Sequence, residues 1–152
     1  MIVAFITFLF FNFLALMIGG LFTAKGVPSA WYAELNKAPW TPPNWMFGVA
    51  WTTIMLCFSL YLMYVWSKTT TRKKLITLFT IQWLLNVAWN PIFFSMQQVQ
   101  LGALIITLLT LLVGYILVTY YRHIRYQSLL LLPYLLWLLV ALSLNLYVAI
   151  NN

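Results

Sequence analysis

The sequence predicts an all-α integral membrane protein, a bundle of five transmembrane helices with a structured first loop. Three observations carry that prediction. The 152 residues are 64% hydrophobic and only 6% charged, where a soluble domain carries about 25% charged residues. Long uncharged runs alternate with short polar stretches. Eight Lys and Arg stand against a single acidic residue, Glu34. Those basic residues sit between the apolar runs, the pattern of membrane topology and of contact with anionic lipid rather than of nucleic-acid binding. At about 20 residues per span, the chain accommodates one domain, residues 1–152, of short-looped helices.

Each element follows from a local signal. Residues 1–24 carry no charge, predicting helix one at about 2–22, ended by Gly26 and Pro28. With no basic leading segment and no small-residue cleavage pattern, this run reads as a span rather than a signal peptide. Residues 23–41 form a lid loop. Thr41-Pro42-Pro43 is a start signal, with Thr41 as cap and the prolines in the first turn, so helix two runs over about 42–66. Ser67 to Lys74 is a polar, basic loop. Residues 75–121 are uncharged for too long to be one span and are interrupted by Ser95-Met96-Gln97-Gln98-Val99-Gln100. Helix three is placed at about 74–95, kinked by Pro91, and helix four at about 98–121. Arg122-His123-Ile124-Arg125 closes helix four. Helix five occupies about 128–150, with Pro133 in its first turns.

Five spans put the termini on opposite sides. Lys68, Arg72, Lys73, Lys74, Arg122 and Arg125 share one face, and Lys25 and Lys37 the other. The positive-inside rule then places the N-terminus inside and the lid loop outside.

The stretch from Trp31 to Trp51 holds four of the eight tryptophans, three of the six prolines and the only acidic residue. Helix two continues it with a row at Phe47, Trp51, Met55 and Phe58. Helix three offers Gln82, Asn86 and Trp89 at i, i+4, i+7, on one face. Helix five offers Pro133, Trp137, Ala141 and Asn145 at successive i+4 steps. Amides in a membrane bundle more often tie one helix to the next, and aromatic rows are more often packing. Their combination, with Trp137 placed at mid-helix rather than at an interface, predicts a pocket where three such faces meet.

Other chemistries are set aside. The chain has no Asp, and Glu34 lies in the loop, so no carboxylate pair serves acid–base catalysis. His123 sits among arginines at a helix end, and Cys57 is a lone packing residue, so no metal site is expected. Neither lies on the pocket faces as an axial haem ligand, with Met55 a weak exception. Val118-Thr119-Tyr120-Tyr121-Arg122 fits a loose sterol-contact pattern that many membrane helices match by chance. Ala15 and Gly19 give a small-xxx-small spacing suited to close helix approach, as in a dimer.

Trp31-Tyr32, Leu35, Lys37, Pro39, Trp40, Pro42-Pro43, Phe47 and Trp51 resemble the first loop and second helix of the TspO/MBR family, that of the translocator proteins. The resemblance continues through Gln82, Asn86, Trp89, Pro91, Phe93 and Phe94, and ends with Pro133-Tyr134, Trp137, Ala141 and Leu144-Asn145. It covers nearly the whole chain, in order. It implies five transmembrane helices, a homodimer, and a pocket closed by the first loop. It also implies binding of porphyrins such as protoporphyrin IX, of sterols and of benzodiazepine-site ligands, with no resident cofactor. Bacterial relatives look like tetrapyrrole sensors or regulators. Transport, and light-dependent oxidative breakdown of the porphyrin, have both been attributed to them. Animal relatives carry a basic residue after a tyrosine at the end of helix five. Here Tyr147 is followed only by Val148-Ala149-Ile150-Asn151-Asn152, so the resemblance does not extend to high-affinity cholesterol binding at that place. The same features resemble a bacterial, plasma-membrane member.

The expected site is then Trp31, Tyr32, Pro42, Phe47, Trp51, Gln82, Asn86, Trp89, Trp137, Ala141 and Asn145. Porphyrin carboxylates would lie toward Lys25 or Lys37. In any photo-oxidative breakdown Trp51 and Trp137 would relay electrons. The competing expectations are a non-catalytic receptor or transporter of porphyrins, sterols or other apolar molecules, and a bundle whose aromatic interior is only packing.

Overall fold

A computed structural model describes all residues, Met1–Asn152. Five long helices run antiparallel in sequence: α1 (Ile2–Gly26), α3 (Asn44–Lys68), α4 (Arg72–Asn90), α5 (Val99–Ile124) and α6 (Leu132–Asn151), with a short helix α2 (Ala30–Glu34) between the first two. The 25 residues of α1 or α3 span about 37 Å at 1.5 Å per residue, enough to cross a hydrocarbon layer of about 30 Å. The protein is an integral membrane protein.

Four uninterrupted apolar stretches are long enough to span, the last being Val99–Asn151 with 53 residues. That stretch is two helices. Arg125 adopts φ 42°, a 3₁₀ segment follows over Arg125–Leu131, and α6 folds back against α5. Pro133 sits in the first turn of α6, where its missing N–H costs nothing.

Several boundaries differ from the sequence expectation. α1 continues through Thr23 to Gly26, where the missing side chain lets the helix end lie directly against Phe94. Within the lid, Ser29 Oγ accepts from Tyr32 N–H at 3.2 Å and starts α2. Thr41 does not cap α3. Its hydroxyl donates back to Ala38 O at 2.7 Å, and Pro43, in extended conformation, directly precedes a helix that begins at Asn44. Pro91 does more than kink α4: residues Pro91–Ser95 form a π-helical turn, with Met96 N–H bonded to Pro91 O at 2.9 Å. Gln97, at φ 55°, then turns the chain into α5.

Around the bundle the helices run α1, α3, α6, α5, α4 and back to α1. The two ends of this ring are filled differently. The end bearing the basic turns is closed by Phe8, Phe58, Tyr61, Leu75, Val113 and Tyr134, all buried in one cluster. At the lid end the helices enclose a cavity. Outside, Val118, Leu111 and Leu136 are at least 60% exposed, the apolar surface a lipid-facing helix requires.

Few polar groups cross between helices, and they mark the seams. Asn12 Nδ2 donates to Ser59 Oγ at 2.8 Å, joining α1 to α3. Trp83 Nε1 donates to Phe11 O at 2.8 Å and Thr23 Oγ1 to Asn90 Oδ1 at 2.9 Å, joining α1 to α4. Tyr61 OH donates to Ile116 O at 3.1 Å, joining α3 to α5.

Candidate ligand-binding site

The cavity at the lid end has a volume of about 480 Å³, within the range of about 300–1,000 Å³ usual for small-molecule sites. Its walls come from α1, α3, α4 with its π turn, α5 and α6, and its roof from the lid. Six aromatic side chains ring it: Tyr32, Phe47, Trp51, Trp89, Phe93 and Phe94.

The π turn places two of them. It carries Phe93 and Phe94 together against Trp89, with Phe93 stacked on the indole at 5.0 Å between centroids and Phe94 edge-on at 5.8 Å. Glycines make room. A methyl group at Gly26 would clash with the Phe94 ring, and one at Gly102 would lie 3.1 Å from Phe93. The polar lining is amide-based. Trp89 Nε1 donates to Asn145 Oδ1 at 3.1 Å, and Asn145 Nδ2 donates to Ala141 O at 2.8 Å. Asn86, Asn90 and Thr23 complete it. One cation, Lys37, reaches the rim, its ammonium 4.4 Å from the centre of the Tyr32 ring. Burial pushes the Tyr32 phenol above its usual value, so the ring beside that cation stays uncharged.

Of the residues expected at the site, Tyr32, Phe47, Trp51, Asn86, Trp89 and Asn145 line the cavity. Five do not. Trp31 stands behind it, edge-on to Phe93 at 5.7 Å. Pro42 lies in the chain entering α3, between the lining residues Thr41 and Asn44. Ala141 acts through its carbonyl, which holds Asn145. Gln82 lies below the floor, where Nε2 donates to Tyr134 OH at 2.7 Å and Tyr134 in turn packs edge-on to Trp51 at 5.9 Å. Trp137 is turned away. It packs edge-on to Phe47 at 5.3 Å and lines a separate shallow groove between α3 and α6 with Ala50 and Pro133. The reason is helical drift: each i+4 step rotates the direction by about 40°, so Trp137 and Asn145, two steps apart, address different neighbours. Met55 is in the closed core, and Lys25 is exposed and off the cavity.

Sequence reasoning missed α1 as a wall. Ala15, Leu16, Gly19 and Thr23 line the cavity from that side. Ala15 and Gly19 are buried within the single chain, and a methyl group at Gly19 would come within 2.6 Å of Asn90 Nδ2. The small-xxx-small spacing therefore serves approach between α1 and α4 inside the bundle. Two further lining glycines, Gly20 and Gly48, are exposed and have open space where a side chain would stand. The cavity wall thus has the least side-chain cover at these two positions. No cluster of His, Cys or acidic residues suits a metal ion.

Comparison with known proteins agrees with this architecture. The TspO/MBR family model matches residues 6–150. A tryptophan-rich protein TspO of Archaeoglobus fulgidus is 39% identical over 137 residues, covering 88% of this chain and 87% of its own length. Protein CrtK of Rhodobacter capsulatus is 34% identical over 137 residues, covering 88% and 85%. The translocator protein of Homo sapiens is 34% identical over 119 residues, covering 76% and 70%. A match over nearly the whole length, on a bundle whose lid closes an aromatic cavity, settles the assignment: the chain belongs to the TspO/MBR family.

Proposed function

We propose that the protein is a membrane tetrapyrrole sensor that takes up protoporphyrin IX, or a ligand of the same flat apolar class, in the lid-end cavity. The observation that supports this reading is the ring of six aromatic side chains around about 480 Å³, with a single cation at the rim. A porphyrin is a planar apolar ring with two carboxylates at one edge. Aromatic walls suit the ring, each aromatic contact adding about 0.5–1.5 kcal/mol beyond area burial. Lys37 suits the carboxylates at the wet mouth, and no carboxylate in the wall repels them. Flat benzodiazepine-site ligands fit the same walls. A relative of Cereibacter sphaeroides bears the name tryptophan-rich sensory protein, in keeping with a sensing role. The protein would act as a homodimer in a bacterial plasma membrane, with the N-terminus inside and the lid outside.

Under light, the bound ring would be its own photosensitiser and dioxygen the oxidant. Trp51, an indole on the α3 wall of the cavity, would exchange an electron with the excited ring. No carboxylate, histidine or cysteine lines the cavity. Titrating protoporphyrin against the purified protein while following tryptophan fluorescence tests binding, and saturable quenching is expected. Irradiation of the complex with and without oxygen tests breakdown. Product formed equally well in lipid vesicles alone would remove the breakdown role and leave binding intact.

The bare glycines Gly20 and Gly48 in the α1 and α3 walls favour a second reading, a non-catalytic receptor or transporter that exchanges porphyrins, sterols or other apolar molecules with the bilayer. Saturable binding without light-dependent loss of the ring would select it.

A further inference from the structure

The lid brings Lys37 to the cavity, and the outer end of α6 holds the lid at that point. Asn152, the residue that caps α6, brackets the backbone of Asn36, 116 residues away in sequence. Asn36 N–H donates to Asn152 Oδ1 at 2.9 Å, and Asn152 Nδ2 donates to Asn36 O at 3.3 Å. The same amide nitrogen donates to Val148 O, one turn back in α6, at 2.9 Å. Reversing the amide would set its nitrogen against an N–H and its oxygen against two carbonyls, so these three bonds fix its orientation.

Lys37 follows directly. On its far side Ala38 is buried, and the Ala38 carbonyl accepts from Thr41 Oγ1 at 2.7 Å and from Thr41 N–H at 3.0 Å. Two residues on, Trp40 Nε1 donates to Ser143 Oγ at 3.2 Å, and its ring stands edge-on to Tyr147 at 5.3 Å. Residues 36–40 are thus tied to α6 at Ser143, Tyr147 and Asn152. Among them only Lys37 lines the cavity. Its ammonium lies over the Tyr32 ring, which in turn packs on Phe94 of the π turn at 5.6 Å. The backbone around Lys37 is therefore held from α6, and its side chain from the opposite side of the mouth. A lysine on a free loop loses part of its attraction for an anion to the ordering of that loop, and one already fixed keeps it.

We propose that Asn152 is a positioning residue for Lys37. By clamping Asn36 it holds the ammonium at the rim, so that the cavity selects ligands bearing a carboxylate over their neutral analogues. This rests on the porphyrin reading of the cavity and extends it to a residue at the end of α6 that is not part of the cavity wall.

The test titrates protoporphyrin IX and its dimethyl ester against the whole protein in one detergent, following tryptophan fluorescence. The parent should bind the diacid more tightly than the ester. Asn152→Ala should lower diacid affinity about two- to threefold, within the span of a partly exposed ion pair, and leave ester affinity unchanged. In a Lys37→Gln background Asn152→Ala should change neither, because the two residues act as one unit. Amide hydrogen exchange on the ligand-free proteins reads the clamp itself. The Asn36 amide should exchange about three- to tenfold faster in Asn152→Ala, the equivalent of one net hydrogen bond. The Tyr32 amide, held by Ser29 Oγ at 3.2 Å in the other half of the lid, should keep its rate. Equal losses for diacid and ester would mark a general loosening of the lid and overturn the proposal. A further loss of diacid affinity in the Lys37→Gln background, or an unchanged Asn36 exchange rate, would overturn it as well. If the parent binds neither form saturably while Asn36 exchange still quickens in Asn152→Ala, the porphyrin reading falls and the clamp on Lys37 stands.

Discussion

Trp89 and Asn145 join α4 to α6 across the cavity wall: the indole N–H donates to the amide oxygen at 3.1 Å, while the amide nitrogen is held on Ala141 O at 2.8 Å. This pair sets the distance between two walls of the site. Removing the amide should loosen both the bundle and the pocket. Asn145→Ala is expected to cost about 0.6–2 kcal/mol, the range of interhelical hydrogen bonds in membranes. Thermal unfolding followed by tryptophan fluorescence, with a protoporphyrin titration on the same sample, reads both effects. An unchanged Tm would mean the bond is dispensable.

Trp51 and Trp137 should separate cleanly. Trp51 lines the cavity and Trp137 faces the α3–α6 groove. Trp51→Phe should weaken protoporphyrin about two- to tenfold, the equivalent of one aromatic contact, while Trp137→Phe should leave affinity unchanged. Equal losses in the two variants would place the ligand elsewhere.

Lys37 is the only cation on the cavity rim. Lys37→Gln should reduce protoporphyrin affinity about two- to fivefold, as for a partly exposed ion pair, and the loss should shrink at high salt. The dimethyl ester of the same ring, which has no charge for Lys37 to meet, should bind both proteins alike.

The glycines of α1 are not equivalent. Gly26→Ala would drive a methyl group into the Phe94 ring, and Gly20→Ala meets open space. The first should destabilise by about 1–3 kcal/mol, as overpacking does, and disturb ligand binding through Phe94. The second should unfold like the parent. Thermal unfolding of both variants in one detergent makes the comparison.

Much of this architecture is legible in the sequence. The uncharged runs locate the spans because hydrocarbon excludes Lys, Arg and Glu wherever they fall. Asn86, Trp89 and Asn145 stand out because an amide or indole inside such a run must find a partner. Other parts carry no such mark. α1 carries little polar marking beyond Asn12 and Thr23, so its apolar pattern alone does not separate Leu16 and Gly19, which line the cavity, from Met17 and Leu21, which face outward. Pro91 announces a disturbed helix but not whether it kinks or widens. The π turn that sets Phe93 and Phe94 depends on Gly26 and Gly102, distant in sequence, for the space those rings occupy. Trp137 is misplaced by the pattern because an i+4 row on paper is straight and on a helix is a spiral.

Uptake past the bare glycines Gly20 and Gly48 would change what concentration means for this protein. A ligand arriving that way would come out of the acyl chains, so occupancy would follow its mole fraction in the bilayer rather than its molarity in water. Adding lipid at fixed total ligand should then lower occupancy. Two compounds that fit the cavity equally well should differ in apparent potency by the ratio of their partition coefficients. Affinities compared between detergents or membranes need that ratio before they describe the pocket at all.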